Sequence, residues 1–190
     1  MPKTSSKSSL RIISGSLKGQ TIASPNSPHT HPMGSREKLA MFNMIGDLLH
    51  GATVLDVFAG SGALGLEALS RGAKEVFFVE CQLKVARVIQ DNLVKLSRFR
   101  PQLLSEAQIF SEPLQKFSIR PEFQSYFDLI LADPPYDHFQ PEKLTVLPQL
   151  LYRGGRIVLS FPSYLNPPEL PSLTLVSVRH YAAAGIAVYA

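Results

Sequence analysis

Residues 51–80, GATVLDVFAGSGALGLEALSRGAKEVFFVE, constrain this chain more than any other stretch. The run from Thr53 to Phe58 is apolar and β-prone except for Asp56. Gly60, Gly62 and Gly65 follow at once, the order of a strand that ends in a glycine turn and opens a helix. Ala63 to Ser70 carries Leu64, Leu66 and Leu69 among alanines, and Arg71-Gly72 supplies a basic last turn and a glycine just past the end. Glu75 to Glu80 then reads Val-Phe-Phe-Val with little polarity, which suits a parallel strand covered on both faces. Strand, turn, helix and strand in this order predict an α/β fold with right-handed crossovers around a central strand.

Two nucleotide cofactors can use such a turn. Gly60-Ser61-Gly62-Ala63-Leu64-Gly65 satisfies the dinucleotide fingerprint, with Glu80 about 20 residues on as a ribose acceptor. Asp56 separates the alternatives, because a carboxylate four residues before the first glycine repels a pyrophosphate and holds an aminoacyl ammonium. The phrase DVFAGSG therefore favours S-adenosylmethionine, with Asp56, Phe58, Gly60 and Gly62 at its methionine side and Glu80 at the ribose. An NAD-dependent oxidoreductase is the competing reading.

At 190 residues the chain suits one domain with a small appendage. Its single cysteine, Cys81, forbids an internal disulfide, and MPKTSSKSSL lacks the apolar core of a secretion signal. No apolar run reaches the length of a membrane span, so a cytoplasmic protein is expected, with a monomer favoured. The net charge of +4 is unevenly placed. Residues 1–50 hold six basic side chains (Lys3, Lys7, Arg11, Lys18, Arg36, Lys38) against Glu37 and Asp47, whereas residues 51–190 hold thirteen of each sign. A basic appendage on an electrically balanced body is what a phosphate backbone would select, so Arg11, Lys18, Arg36 and Lys38 are the expected nucleic-acid backbone contacts.

Taken in order, residues 1–9 read as a polar tail, and Leu10–Ile13 with Gln20–Ala23 as a hairpin around a glycine-containing turn. A proline-rich loop with His29 and His31 follows; no further ligand residues cluster near that pair, so no metal is expected. Ser35–Leu49 has helical periodicity through Leu39, Phe42, Ile45, Leu48 and Leu49, with Arg36 and Lys38 off the stripe and facing outward. The division is thus 1–34, a basic tail, hairpin and loop, and 35–190, the main domain. Further on come a helix over Val85–Leu96, a strand over Ala107–Phe110 and a strand over Tyr126–Ala132. A helix over Pro141–Leu151, a strand over Arg156–Phe161 and an antiparallel pair over Leu173–Arg179 and Ile186–Tyr189 complete a seven-stranded mixed sheet. Ser111 and Glu112, just after the third of the parallel strands, fall at the carboxyl edge beside Gly60 and Glu80.

Asp133-Pro134-Pro135-Tyr136 closes the strand that ends at Ala132. An exocyclic amine on a nucleobase is a poor nucleophile, because its lone pair is delocalised into the ring. Acceptors aimed at its N–H bonds hold it for attack. The Asp133 carboxylate and the Pro134 carbonyl can supply them, the prolines making that carbonyl rigid, while Tyr136 offers a face for the extracted base.

At these residues the chain resembles the bacterial RsmD family, methyltransferases acting on guanine N2 of small-subunit (16S) ribosomal RNA. The resemblance is carried by the stretch from Asp56 to Ala73, by Asp133 to Tyr136, by Arg11-Ile12-Ile13-Ser14-Gly15 and by Met41-Phe42-Asn43. It implies a Rossmann-like class I S-adenosylmethionine-dependent methyltransferase with a small N-terminal β-hairpin extension. It further implies ribose binding by Glu80, adenine-side contacts by Ser111 and Glu112, and the target amine at Asp133 to Tyr136. The partner would be ribosomal RNA or a small-subunit assembly particle. The chain departs from the family pattern at His31, Leu39, Ser160 and Ala182. An N6-adenine nucleic-acid methyltransferase and a non-catalytic RNA-binding assembly protein are the remaining alternatives.

Overall fold

The structure, a computed structural model, describes residues 9–25 and 33–190; Lys3, Lys7, His29 and His31 lie outside the described residues. An antiparallel hairpin of β1 (Ser9–Arg11) and β2 (Thr21–Ala23) precedes helix α1 (Ser35–Ile45). The chain then alternates through β3 (Thr53–Val57), α2 (Ala63–Ser70), β4 (Glu75–Val79), α3 (Leu83–Ser97), β5 (Ala107–Phe110), α4 (Leu114–Ser118) and β6 (Phe127–Ala132). It closes with β7 (Leu151–Pro162), β8 (Leu175–His180) and β9 (Ala184–Tyr189). Seven strands form one sheet in the order β5-β4-β3-β6-β7-β9-β8, parallel from β5 to β7 and antiparallel beyond. This is the expected seven-stranded mixed α/β sheet, and β3 and β6 are neighbours.

Alternate residues along each strand divide the core in two. Val54, Val76, Phe78, Leu129, Leu131 and Val158 point to the face covered by the hairpin and α1 to α3. Leu55, Phe77, Val79, Ile130, Ile157 and Leu159 point to the face holding Phe117, Phe123 and Phe127. Both sides of the central strands are apolar because both are roofed, as a parallel sheet requires.

The hairpin docks on this body through polar atoms as well as through Ile12, Leu17 and Ile22, which are fully or almost fully buried. Glu67 of α2 accepts hydrogen bonds from the Ile13 and Ser14 amides at 2.7 and 2.9 Å and from Arg71 Nε at 2.8 Å. The Ser70 hydroxyl accepts from the Leu17 amide and donates to the Ser14 carbonyl. Asn92 of α3 accepts from the Ala23 amide through Oδ1 and donates through Nδ2 to the Ala23 and Ser61 carbonyls. Gly15 passes so close to α2 that a Cβ there would lie 1.8 Å from the Ser70 carbonyl oxygen.

Three expectations need correction. The helix from Ser35 ends at Ile45, where Gly46 turns to φ +60°, and continues only as a 3₁₀ turn to Leu49. On that helix the sides are rotated: Lys38 is buried, while Leu39 and Leu48 are exposed. The hairpin causes this, because its Arg11 carbonyl accepts from Lys38 Nζ at 3.0 Å and Glu67 lies 3.6 Å from the same ammonium. Finally, no α-helix forms over Pro141–Leu151; two 3₁₀ turns, Pro141–Val146 and Pro148–Leu150, stand there, and Leu151 already begins β7. Pro148 lacks the N–H a continuous helix would need.

Candidate active site

The strand register builds the site. Val57 pairs with Val79 on one side and Ala132 on the other, Val79 pairs with Phe110, and Ala132 pairs with Leu159. One step further along each strand, Ser111, Glu80, Phe58, Asp133 and Ser160 form a row across the carboxyl edge, neighbours about 4.8 Å apart by strand spacing. Residues spread from position 58 to position 160 of the sequence thus share one crevice.

The glycine turn sits at the centre of this row. Phe58 leaves β3 with φ +60°, an unusual conformation for a residue with a side chain, and Gly60 and Gly62 follow at +55° and +78°. A Cβ on Gly60 would meet nothing nearer than the Phe58 carbonyl oxygen at 3.8 Å, so its requirement is conformational and the space above it is open to a ligand. Gly65 differs: a Cβ there would lie 2.3 Å from Phe78 Cε1 and 2.8 Å from Val76 Cγ1, which shows how closely α2 lies on β4.

Three carboxyl groups surround the turn. Asp56 is buried and one of its oxygens accepts from the Gly65 amide at 2.8 Å. Burial drives its pKa well above the ordinary value, the Gly65 bond opposes this, and the nearby Asp133 and Glu80 add to the rise. Glu80, also buried, accepts from the Gly60 amide at 3.1 Å and from the Gln82 amide at 2.8 Å, so its carboxylate bridges the turn and the start of α3. No basic side chain pairs with Asp56, Glu80 or Asp133 among the described residues. Such a crevice suits a ligand with positive charge and hydroxyl donors and opposes a pyrophosphate.

Asp133 accepts a short hydrogen bond from the Ser160 hydroxyl of β7. Burial raises its carboxyl to about 6, with the Ser160 bond pulling the other way. Tyr136 is half-buried; burial raises its phenol, Asp133 raises it further, the Ser160 hydroxyl opposes and Glu37 of α1 adds to it. The first turn of α1 therefore approaches the Asp133 loop. Ser111 is exposed, whereas Glu112 is buried and already paired with Arg120 Nε at 2.8 Å and Lys116 Nζ at 3.3 Å. The Arg120 bond holds its carboxyl below the usual range against the effect of burial. An adenine at this end would meet the Ser111 side more readily than the Glu112 carboxylate.

Arg11, Lys18 and Arg36 are exposed. Lys38 is not: its ammonium is consumed inside the protein by Arg11 and Glu67, so its expected outward placement is corrected. Ser160 and Glu37 were not among the expected site residues. The signal for Ser160 was visible as the one polar residue in IVLSF, whereas nothing local marks Glu37.

A family model described as "Conserved hypothetical protein 95" matches residues 10–190. YlbH of Bacillus subtilis (strain 168), named as a candidate rRNA methyltransferase, is 32% identical over 185 residues, 95% of this chain and 98% of that protein. Ribosomal RNA small subunit methyltransferase D of Haemophilus influenzae is 38% identical over 133 residues, 70% of this chain and 66% of that protein. Among solved structures, a candidate methylase of Haemophilus influenzae has a TM-score of 0.74 at 28% identity, covering 96% of this chain and 98% of that one. A candidate methyltransferase of Escherichia coli reaches a TM-score of 0.81 at 24% identity over 96% and 97% of the two chains, a likeness of fold.

Proposed function

This chain belongs to the RsmD family, and from that premise we propose that it methylates the exocyclic N2 amine of a guanine in small-subunit ribosomal RNA, using S-adenosylmethionine. The observation that carries the reading is the shared row: the glycine turn and Glu80 stand beside Asp133-Pro134-Pro135-Tyr136 because β3 pairs directly with β6. A cofactor loop and an amine-holding turn have to meet in this way.

When bound, S-adenosylmethionine supplies an electrophilic methyl group on a cationic sulfur. The uncompensated carboxyl groups of Glu80 and Asp133 favour that charge, Asp56 anchors the turn through the Gly65 amide on the methionine side, Glu80 keeps acceptor capacity for the ribose hydroxyls, and Gly60 and Gly62 let the backbone come close. Phe58 borders the same turn, and Ser111 and Glu112 border the adenine end. Asp133, ionised at neutral pH with its carboxyl at about 6, accepts an N–H of the guanine amine. The Pro134 carbonyl accepts the other, which removes the amine from conjugation with the ring, and the Tyr136 ring stacks on the base. The basic segment up to residue 34, with Arg36 just beyond, holds the RNA backbone through Arg11, Lys18 and Arg36.

The test is transfer of labelled methyl groups to small-subunit rRNA, naked and in assembly particles, followed by nucleoside analysis. N2-methylguanosine is expected. N6-methyladenosine would reassign the base, and binding of NAD without S-adenosylhomocysteine would reverse the cofactor. Asp133→Ala should slow transfer by about 10²–10³-fold; wild-type rates in that variant would remove Asp133 from the chemistry.

A further inference from the structure

We propose that the outward face of α3 is a second RNA-backbone surface, continuous with the N-terminal hairpin; this rests on the rRNA reading above. Residues 51–190 are balanced only in sum. Between 83 and 100 the chain has five basic residues, Lys84, Arg87, Lys95, Arg98 and Arg100, against the single acid Asp91, whereas residues 101–190 carry six basic residues against eight acids. The helix orders these charges. Lys84, Arg87, Asp91, Lys95 and Arg98 follow one another at intervals of three and four, all are exposed, and they lie opposite the buried stripe of Val85, Ile89, Leu93 and Leu96. None of Lys84, Arg87 and Arg98 forms an ion pair among the described residues.

Tertiary contacts make this stripe one surface with the hairpin. Lys95 Nζ donates to the Thr21 carbonyl at 2.6 Å, and Asn92 bonds the Ala23 backbone, so β2 runs along the flank of α3. At the other end, Arg100 donates to the Leu69 carbonyl at 2.6 Å and the Ser16 amide to the Ser70 carbonyl at 2.7 Å. The turn bearing Lys18 and the end of α3 bearing Arg98 therefore meet at the same end of α2. From Lys84 to Arg98 the stripe is about 20 Å long, room for several consecutive phosphates. Its start lies close to Glu80 in the crevice, since Gln82 donates its amide to that carboxylate. Phe99, 60% exposed, directly follows Arg98 at the end of the stripe and offers an apolar ring face to an unstacked base.

The experiment uses the full chain with Lys84, Arg87 and Arg98 all changed to Gln, and a control with Lys143, Arg153 and Arg179 changed to Gln. Affinity for small-subunit rRNA is measured against salt concentration, beside S-adenosylhomocysteine affinity and the thermal midpoint. The α3 variant should lose about two units of log–log salt slope, at roughly 0.7 per phosphate on a single strand, with ligand affinity and midpoint unchanged. The control should keep its slope. An α3 variant with wild-type slope, from a wild type that methylates rRNA, would show α3 to be a solvated face; equal losses in variant and control would reduce the effect to net charge. A wild type that neither binds nor methylates rRNA would overturn the rRNA reading and this surface with it. If the triple variant loses thermal stability, single Arg87→Gln and Arg98→Gln variants carry the same test at about 0.7 each.

Discussion

The two faces of the sheet are held by different forces. On the face covered by α1 to α3, a charge and two polar side chains are buried in order to grip a backbone: Glu67, Ser70 and Asn92 meet the hairpin amides and carbonyls one by one. On the other face, Phe77, Phe110, Phe117, Phe123, Tyr126 and Phe127 form a continuous aromatic cluster with centroid separations between 4.9 and 6.3 Å. Packing of this kind tolerates short helices and 3₁₀ turns above it, because it is non-directional. Hydrogen bonds to a buried carboxylate admit one placement of the hairpin, and hence one placement of its arginine and lysine relative to the crevice.

The largest expected effects separate the two modes. Phe127→Ala should cost about 3–5 kcal/mol in global stability by leaving a cavity. Glu67→Ala should cost a similar amount, about 3–5 kcal/mol, by stranding the buried Lys38 and two amides. Hydrogen exchange tells them apart: Glu67→Ala should expose the Ile13 and Ser14 amides selectively, whereas Phe127→Ala should leave them tied until the whole domain opens. Equal protection of those amides in both variants would break the contrast.

Gly65→Ala comes next, at about 1–3 kcal/mol, since the added methyl would fall within 2.3 Å of Phe78 and push α2 off β4. Calorimetry should also show weaker cofactor binding, because the Asp56 contact to Gly65 moves with the helix. Ser160→Ala tests the row between the faces. The Ser160 bond lowers the Asp133 carboxyl, so its loss should raise the pKa above about 6 and move the acid limb of kcat/KM to higher pH. The stability sign is opposite to that of a salt-bridged aspartate. Between the ordinary 3.8 and about 6 the native state keeps a proton that the unfolded chain has released. Stability from this group therefore falls as pH rises through that window, and Asp133→Asn should remove the fall. The smallest effect is expected for Arg36→Gln, a loss of about 0.7 in the salt slope of RNA binding, with cofactor affinity unchanged.

Legibility followed the range of the interactions. The glycine turn, the Asp133 loop and most elements were readable because periodicity, glycine placement and prolines act within a few residues. Apolar spacing over 141–151 predicts a helix where the structure has 3₁₀ turns, since that spacing alone cannot show where β7 begins. The face of α1 escapes the sequence for a different reason: periodicity puts Leu39 inside and Lys38 outside, and only the arrival of Arg11 and Glu67 reverses them.

By itself, the sequence determined the strand-and-helix alternation, the turn at Gly60 and Gly62 and the proline turn from Asp133 to Tyr136, all of which arise from local backbone chemistry. The tertiary structure alone decided that Ser160 would reach Asp133, that Glu37 would approach Tyr136 and that α3 would extend the basic face of the hairpin. Those juxtapositions depend on strand order and on where a distant segment docks, and both are settled by burying the two sheet faces at once, a condition no single stretch of chain contains.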